Sequence, residues 1–186
     1  MNSLRVMVAC AAHFALLISF SYSLTMAMKI RHARDPTGVA FLPLAANMVD
    51  LMAWLLCAYD AGAVGGMWVQ SIGLATMAVN ATVHRLYASL TGPGLALLAG
   101  LIGMVVASSR MTTAQLLNTA TLCAMVRDLA PLVRVLEYPL PDIAAWALVV
   151  STLRTLCGVV DGDVPEIVRN LAGVTVAAAE VYVGWT

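Results

Sequence analysis

Seven stretches of the chain, each about 17 to 25 residues long, are made mostly of apolar side chains: 4–28, 39–59, 64–87, 93–109, 113–136, 143–160 and 164–185. Roughly 20 predominantly apolar residues carry a helix across a hydrocarbon core, and about 17 suffice at the short end. No water is available there to bond the backbone N–H and C=O groups, so each crossing has to satisfy them within its own helix. The expected fold class is therefore all-α, a polytopic membrane protein with seven transmembrane helices. Composition agrees, since 61% of residues are hydrophobic and 11% charged, against roughly 45–50% and 25% in soluble domains.

The connectors carry turn residues: Asp35-Pro36-Thr37-Gly38, Asp60-Ala61-Gly62, Thr91-Gly92-Pro93-Gly94, Ser108 to Thr113, Pro139-Leu140-Pro141-Asp142 and Asp161-Gly162-Asp163. The first run is longer than the roughly 7–15-residue apolar core of a signal peptide and leads into Lys29, Arg31 and Arg34, so it reads as a first span. Those three, with Arg85 and Arg134, fall on one side of the membrane, and Arg5 and Arg110 on the other. Positive charge favours the cytoplasmic side, which places the N-terminus outside and the C-terminus inside, most simply in a plasma membrane. Ten basic and ten acidic residues cancel, which argues against a nucleic-acid partner. Cys10, Cys57, Cys123 and Cys157 lie in apolar stretches without metal-ligand spacing and read as small buried hydrophobes. His13 and His84 have no metal-spaced neighbours, and the chain carries no Ser/His/Asp set, HExxH or Walker loop. No enzyme activity, cofactor or metal is expected.

The chain also matches itself. Displaced by 100 positions, residues 45–78 and 145–178 are identical at Ala45/Ala145, Val49/Val149, Leu56/Leu156, Cys57/Cys157, Gly62/Gly162, Val64/Val164, Gly73/Gly173 and Ala78/Ala178. No gap is needed, and both blocks read span, acidic glycine turn, span. The amides Gln70 and Asn170 fall opposite each other, three residues before the matched Gly73 and Gly173. Extended to spans one and five, this makes two parallel three-helix repeats, 1–91 and 113–186, joined by a linker helix at 92–112. Such a 3+1+3 order is a transporter arrangement, in which a substrate site is expected near the midplane where the repeats meet.

Within that frame several strings resemble the SWEET sugar transporters of the MtN3/saliva type. Val39 to Trp54 looks like that family's second helix, with Pro43 eleven residues before the tryptophan. Gln70 follows 27 residues after Pro43, with Gly73 beyond it, at the family's amide position in helix three. Ala130-Pro131-Leu132 resembles its Ser-Pro-Leu in helix five, and Asp163 to Gly173 its Asp-Pro…Asn…Gly block opening helix seven. The resemblance spans nearly the whole chain and rests on joint spacing. The chain departs from the pattern at Gln70, where the family usually has Asn, and at Arg154, where it has Trp. It also lacks the helix-one proline and has a shortened segment after Pro131.

The resemblance implies a facilitator that passes a mono- or disaccharide down its gradient by alternating access, in the lipid bilayer, as a monomer or homo-oligomer. A sugar offers hydroxyl edges and an apolar CH face, which suit amides that donate and accept together with an aromatic plane. Gln70 and Asn170 would supply the amides and Trp54 the stacking face. The structural alternatives are interhelical hydrogen bonds for the amides and a membrane-interface position for Trp54. Arg154, a mid-span charge, would close one side of the pocket or pin helices through Asp50 or Glu180. Arg169 lies close enough to the outer surface to snorkel, and one of Arg127 and Asp128 should face the bundle interior. Pro43, Pro131 and Pro141 (or Pro139) are expected as hinges, Pro139 or Pro141 alternatively as a simple helix start. A proton-coupled carrier using Asp50, Asp128 or Glu180 is the nearest rival, and a non-transporting membrane binding partner a further one.

Overall fold

The computed structural model describes residues 3–35, 41–88, 91–129, 141–162 and 164–185. Seven α-helices and no strand occur among them: α1 (Ser3–Ala33), α2 (Phe41–Asp60), α3 (Val64–Tyr87), α4 (Thr91–Ser108), α5 (Thr113–Leu129), α6 (Pro141–Asp161) and α7 (Val164–Trp185). The starts of α3, α5 and α7 coincide with those expected from the turn residues. The helix expected over 113–136 is described to Leu129, and the remainder lies outside the described residues. At 31 residues α1 is the longest. At 1.5 Å per residue it measures about 46 Å, more than a bilayer core requires.

Three segments are long and apolar enough to cross a membrane, Val6–Ala33, Phe41–Asp60 and Glu166–Gly184. Gly94–Ser108 and Ala144–Val160 are shorter apolar helices. The seven expected spans are thus present as helices, and three of them meet the length and hydropathy of a crossing. α3 falls short because Gln70, Thr76, Asn80 and His84 occupy its buried face. α5 is short and carries Gln115, Asn118 and Arg127.

The helices group into two compact units, Met1–Tyr22 with Asp128–Thr186, and Ser23–Arg127. In the first, α6 packs along α7; in the second, α2 packs against α3 and α4. The α2–α3 hairpin is pinned at both ends. Near its turn, a Cβ on Gly66 would stand 3.3 Å from the Ala58 Cβ, so the two helices approach closely there. At its open end the rings of Phe41 and His84 are 5.5 Å apart.

The internal match reappears in the backbone. α2 and α6 begin 100 residues apart, at Phe41 and Pro141, and α3 and α7 likewise at Val64 and Val164. α2 ends with the Gly62 N–H donating to the Tyr59 carbonyl at 3.1 Å and the Ala63 N–H to the Ala58 carbonyl at 2.8 Å. That is a Schellman stop, which calls for a left-handed residue, and Gly62 has φ +63°. α6 ends alike, with Gly162 at φ +70° and its N–H donating to the Val159 carbonyl at 3.3 Å.

Each turn glycine therefore bears a conformational load that a Cβ would oppose. Gly62→Ala is expected to lower stability by about 1 kcal/mol, and Gly162→Ala by a similar amount. Gly65→Ala, at a helical position with nothing within 4 Å of its Cβ, should leave stability unchanged or raise it. Thermal unfolding of the detergent-solubilised chain checks the contrast.

Candidate functional site

Four polar side chains of α3, those of Gln70, Thr76, Asn80 and His84, share one buried face. Gln70, Gly73, Thr76, Met77, Asn80 and His84 are all buried, at helical spacings of three and four. In α7 the buried residues are Arg169, Asn170, Gly173, Val176, Ala177 and Glu180. Apart from Arg169, each sits 100 positions beyond a buried residue of α3. From position 70 to 82 the pattern of buried, half-buried and exposed residues is the same in both helices. The buried polar residues Gln70 and Asn80 of α3 are matched at this offset by Asn170 and Glu180 of α7.

The expected site residues fall in both units. In residues 23–127, Trp54 is half-buried on α2 and Gln70 is buried on α3; in the other unit Arg154 is half-buried on α6 and Asn170 is 1% exposed on α7. The two amides are engaged differently. Asn170 turns its Nδ2 back to the Glu166 carbonyl of its own helix at 2.8 Å, whereas Gln70 makes no side-chain hydrogen bond among the described residues. Pro43 lies in the first turn of α2 and Pro141 opens α6. A proline there removes no intrahelical bond, because the first N–H groups of a helix have no partner in it. Pro131, Pro139 and the Asp128 side chain lie outside the described residues.

Two expectations need correction. Arg169 does not snorkel: it is 4% exposed, and its guanidinium lies 3.6 Å from the Glu166 carboxylate one turn back. Placing Glu three residues before Arg on one helix satisfies the charge locally and lets the side chain turn inward. The cysteines are not uniformly buried. Cys10 is exposed and Cys57, Cys123 and Cys157 are half-buried. On a span the exposed direction is toward lipid, as apolar as a protein core, so an apolar thiol gains little by turning inward.

A polar cluster ties α1, α2 and α3 together within residues 23–127. Asn80 Nδ2 donates to Ser23 Oγ. Ser23 Oγ donates to Met77 Sδ at 3.6 Å, and Asn47 Nδ2 donates to the same sulfur at 3.4 Å. Asn80 Oδ1 is buried without a hydrogen-bond partner. The sequence offered one sign of this cluster: the offset of 100 pairs Asn80 with Glu180, a second polar match after Gln70 with Asn170.

The acid of α2 has a definite partner. Asp50, the tenth of its 20 residues, pairs with Arg127 of α5 at 2.5 Å. The Asp50 side chain is 2% exposed and that of Arg127 23%, and Asp50 Oδ1 has no hydrogen-bond partner. Ten residues on, Asp60 accepts a hydrogen bond from Thr113 Oγ1 at 2.8 Å. These two contacts set α2 and α5 antiparallel, with Ala53, Ala120 and Ala124 among the least exposed residues of the two helices. Of Arg127 and Asp128, Arg127 is thus a residue that faces inward. Among the described residues no group of His, Cys, Asp and Glu has the arrangement of a metal site.

Compared with protein-family models, curated proteins and solved structures, the chain matches none.

Breaking a buried ion pair on one side strands the other charge, which costs about 3–5 kcal/mol, while replacing both members by apolar residues is often neutral. Arg127→Leu should therefore lower stability by about 3 kcal/mol, toward the low end because Arg127 is partly exposed. Asp50→Leu/Arg127→Leu should recover most of that loss. A thermal-unfolding double-mutant cycle in detergent measures it; additive losses would contradict the coupling.

Proposed function

We propose that the chain is a bidirectional facilitative sugar transporter, a uniporter of SWEET-like 3+1+3 design. The observation that carries the reading is the recurrence of the α2–α3 hairpin as α6–α7: the same starts 100 residues apart, the same left-handed glycine stop and the same buried positions. Duplicated helix bundles are how many carriers build two alternating accesses from one set of packing rules. α1 and α5 complete the two triplets in this reading. At the same offset Leu16 and Leu116 are buried, as are Phe20 and Ala120.

In the proposed mechanism a mono- or disaccharide is held by Gln70 and Trp54 from the first triplet and Asn170 and Arg154 from the second. The amides donate to and accept from sugar hydroxyls, the indole stacks on the CH face, and the guanidinium adds donors. Gln70, with no side-chain hydrogen bond among the described residues, gives up none of those to bind. Pro43, Pro131 and Pro141 mark where the triplets would flex as access alternates. The solute runs down its gradient without a nucleotide or cofactor. All seven helices span a plasma membrane, with the N-terminus outside and the C-terminus cytoplasmic.

A proton-coupled carrier is favoured by one specific observation, the burial of two carboxylic side chains, Asp50 and Glu180. It predicts accumulation against a sugar gradient when a pH gradient is imposed, which a uniporter cannot support.

Reconstituted into proteoliposomes, the native chain should give saturable counterflow of radiolabelled hexose that is indifferent to an imposed pH gradient. Asn170→Ala should lower the rate at least about tenfold, the equivalent of roughly 1.4 kcal/mol. Absence of flux for any neutral sugar, with folded protein in the bilayer, would sink the sugar reading.

A further inference from the structure

Where α4 hands over to α5, the surface of residues 23–127 opens into a groove of about 850 Å³, within the range of about 300–1,000 Å³ typical of ligand sites. Its two walls differ in chemistry. One is formed by Gly103, Val106 and Met111, the other by Arg110, Gln115 and Asn118. We propose that this groove binds an anionic phospholipid, its phosphate against the Arg110 wall and an acyl chain along the glycine-bearing face of α4. The proposal goes beyond transport and does not depend on it.

The polar wall supplies donors. Arg110 is exposed and makes no ion pair among the described residues. The Gln115 carbonyl oxygen Oε1 accepts the Thr112 N–H at 2.9 Å, while Gln115's own N–H donates to Thr112 Oγ1 at 3.3 Å. This reciprocal cap turns the Gln115 amide oxygen to the helix N-terminus and leaves its Nε2 to donate. Asn118 is exposed, with no side-chain hydrogen bond among the described residues. The Thr119 hydroxyl donates to the Gln115 carbonyl at 2.9 Å. Among the described residues no acidic side chain lines the groove; Asp60, at this end of α2, bonds Thr113 instead. A cation and two amides with no opposing carboxylate suit an acceptor-rich anion.

The apolar wall decides in favour of a lipid over a small free anion. It continues a strip of α4 that faces away from the protein, Leu95, Leu98, Ile102 and Val106, which are 54–61% exposed. These lie at i, i+3, i+7 and i+11, one side of the helix. Gly103 has open space where a Cβ would stand, which leaves room for a chain to lie against the backbone. A donor-rich end and a long apolar flank match a phospholipid's headgroup and tail.

The test uses the full chain in detergent with 1-palmitoyl-2-oleoyl phosphatidylglycerol, its phosphatidylcholine counterpart and free glycerol phosphate. Native mass spectrometry and thermal unfolding read binding. Phosphatidylglycerol should remain bound and raise the unfolding midpoint, with phosphatidylcholine markedly weaker. R110Q should weaken the phosphatidylglycerol affinity about tenfold, and G103F, which fills the groove without a backbone clash, should abolish the midpoint shift. Circular dichroism and gel filtration establish that both variants fold. Equal binding by native chain, R110Q and G103F would overturn the site. So would equal affinity for the two lipids, or protection by glycerol phosphate alone, which would mark a free-phosphate site.

Discussion

A polar side chain on a helix surrounded by hydrocarbon has nowhere to be solvated except at the seams between helices. The architecture follows from where those side chains were placed. Gln70, Thr76, Asn80 and His84 recur on α3 at helical spacing, so that face turns inward, and α2 and α1 meet it through Asn47 and Ser23. Asp50 and Arg127 do the same for α2 and α5 with opposite charges. Individual interhelical hydrogen bonds in membranes are worth only about 0.6 kcal/mol on average. Their larger effect is to select which faces meet, because the wrong rotation of a helix leaves an amide or a carboxylate facing lipid.

The starts of α3, α5 and α7 were legible because their turns are announced by residues with a local mechanism, whereas α1 continues past the apolar run ending at Met28 to Ala33. Asp60-Ala61-Gly62 and Asp161-Gly162 stop α2 and α6 through a left-handed glycine, whatever packs around them. Faces were less legible. In α1 the apolar residues run all the way round, and hydropathy cannot separate Ala12, which is buried, from Phe14, which is 66% exposed. In lipid both directions are apolar, so the burial rule of soluble proteins loses its force, and the exposed Cys10 is a consequence. The Asp50 partner was hidden for another reason. Arg127 stands 77 residues away, and only the packing of α2 beside α5 selects it. Arg169, by contrast, carried its answer locally in Glu166 three positions earlier. Of the expected site, the burial of Gln70 and Asn170 was readable from the repeat, while the free state of one amide and the back-bonded state of the other was not.

The α2–α3 and α6–α7 hairpins share helix starts and glycine stops and differ in charge. Where the first hairpin has Trp54, Asn80 and Asp50, the second has Arg154, Glu180 and Val150. Val150, at the position matching Asp50, is buried, so a charged position of the first hairpin corresponds to an apolar one in the second. Two hairpins of matching register allow this because helix starts and stops depend on turn chemistry, and a buried position requires inward orientation without prescribing a particular side chain. Side-chain size differs as well: Ala58 and Gly66 sit close at the α2–α3 turn, where the α6–α7 hairpin has Gly158 and the larger Glu166.

That asymmetry bears on how the transport proposal works. Two helix pairs with equal polar contacts would open with equal ease, and neither state would be favoured. Here α2 is held to α5 by an ion pair and a hydrogen bond, contacts whose net worth beside an apolar seam is small but whose separation is costly, because it strands a charge. Loss of one member leaves an unmatched charge in hydrocarbon. A conformational change that parts α2 from α5 would need something to take the place of the lost contact, whether water entering the seam or hydroxyls of a bound solute. Polar solute and polar seam would then be coupled: the contact that holds the fold together would also set the energetic threshold for opening it.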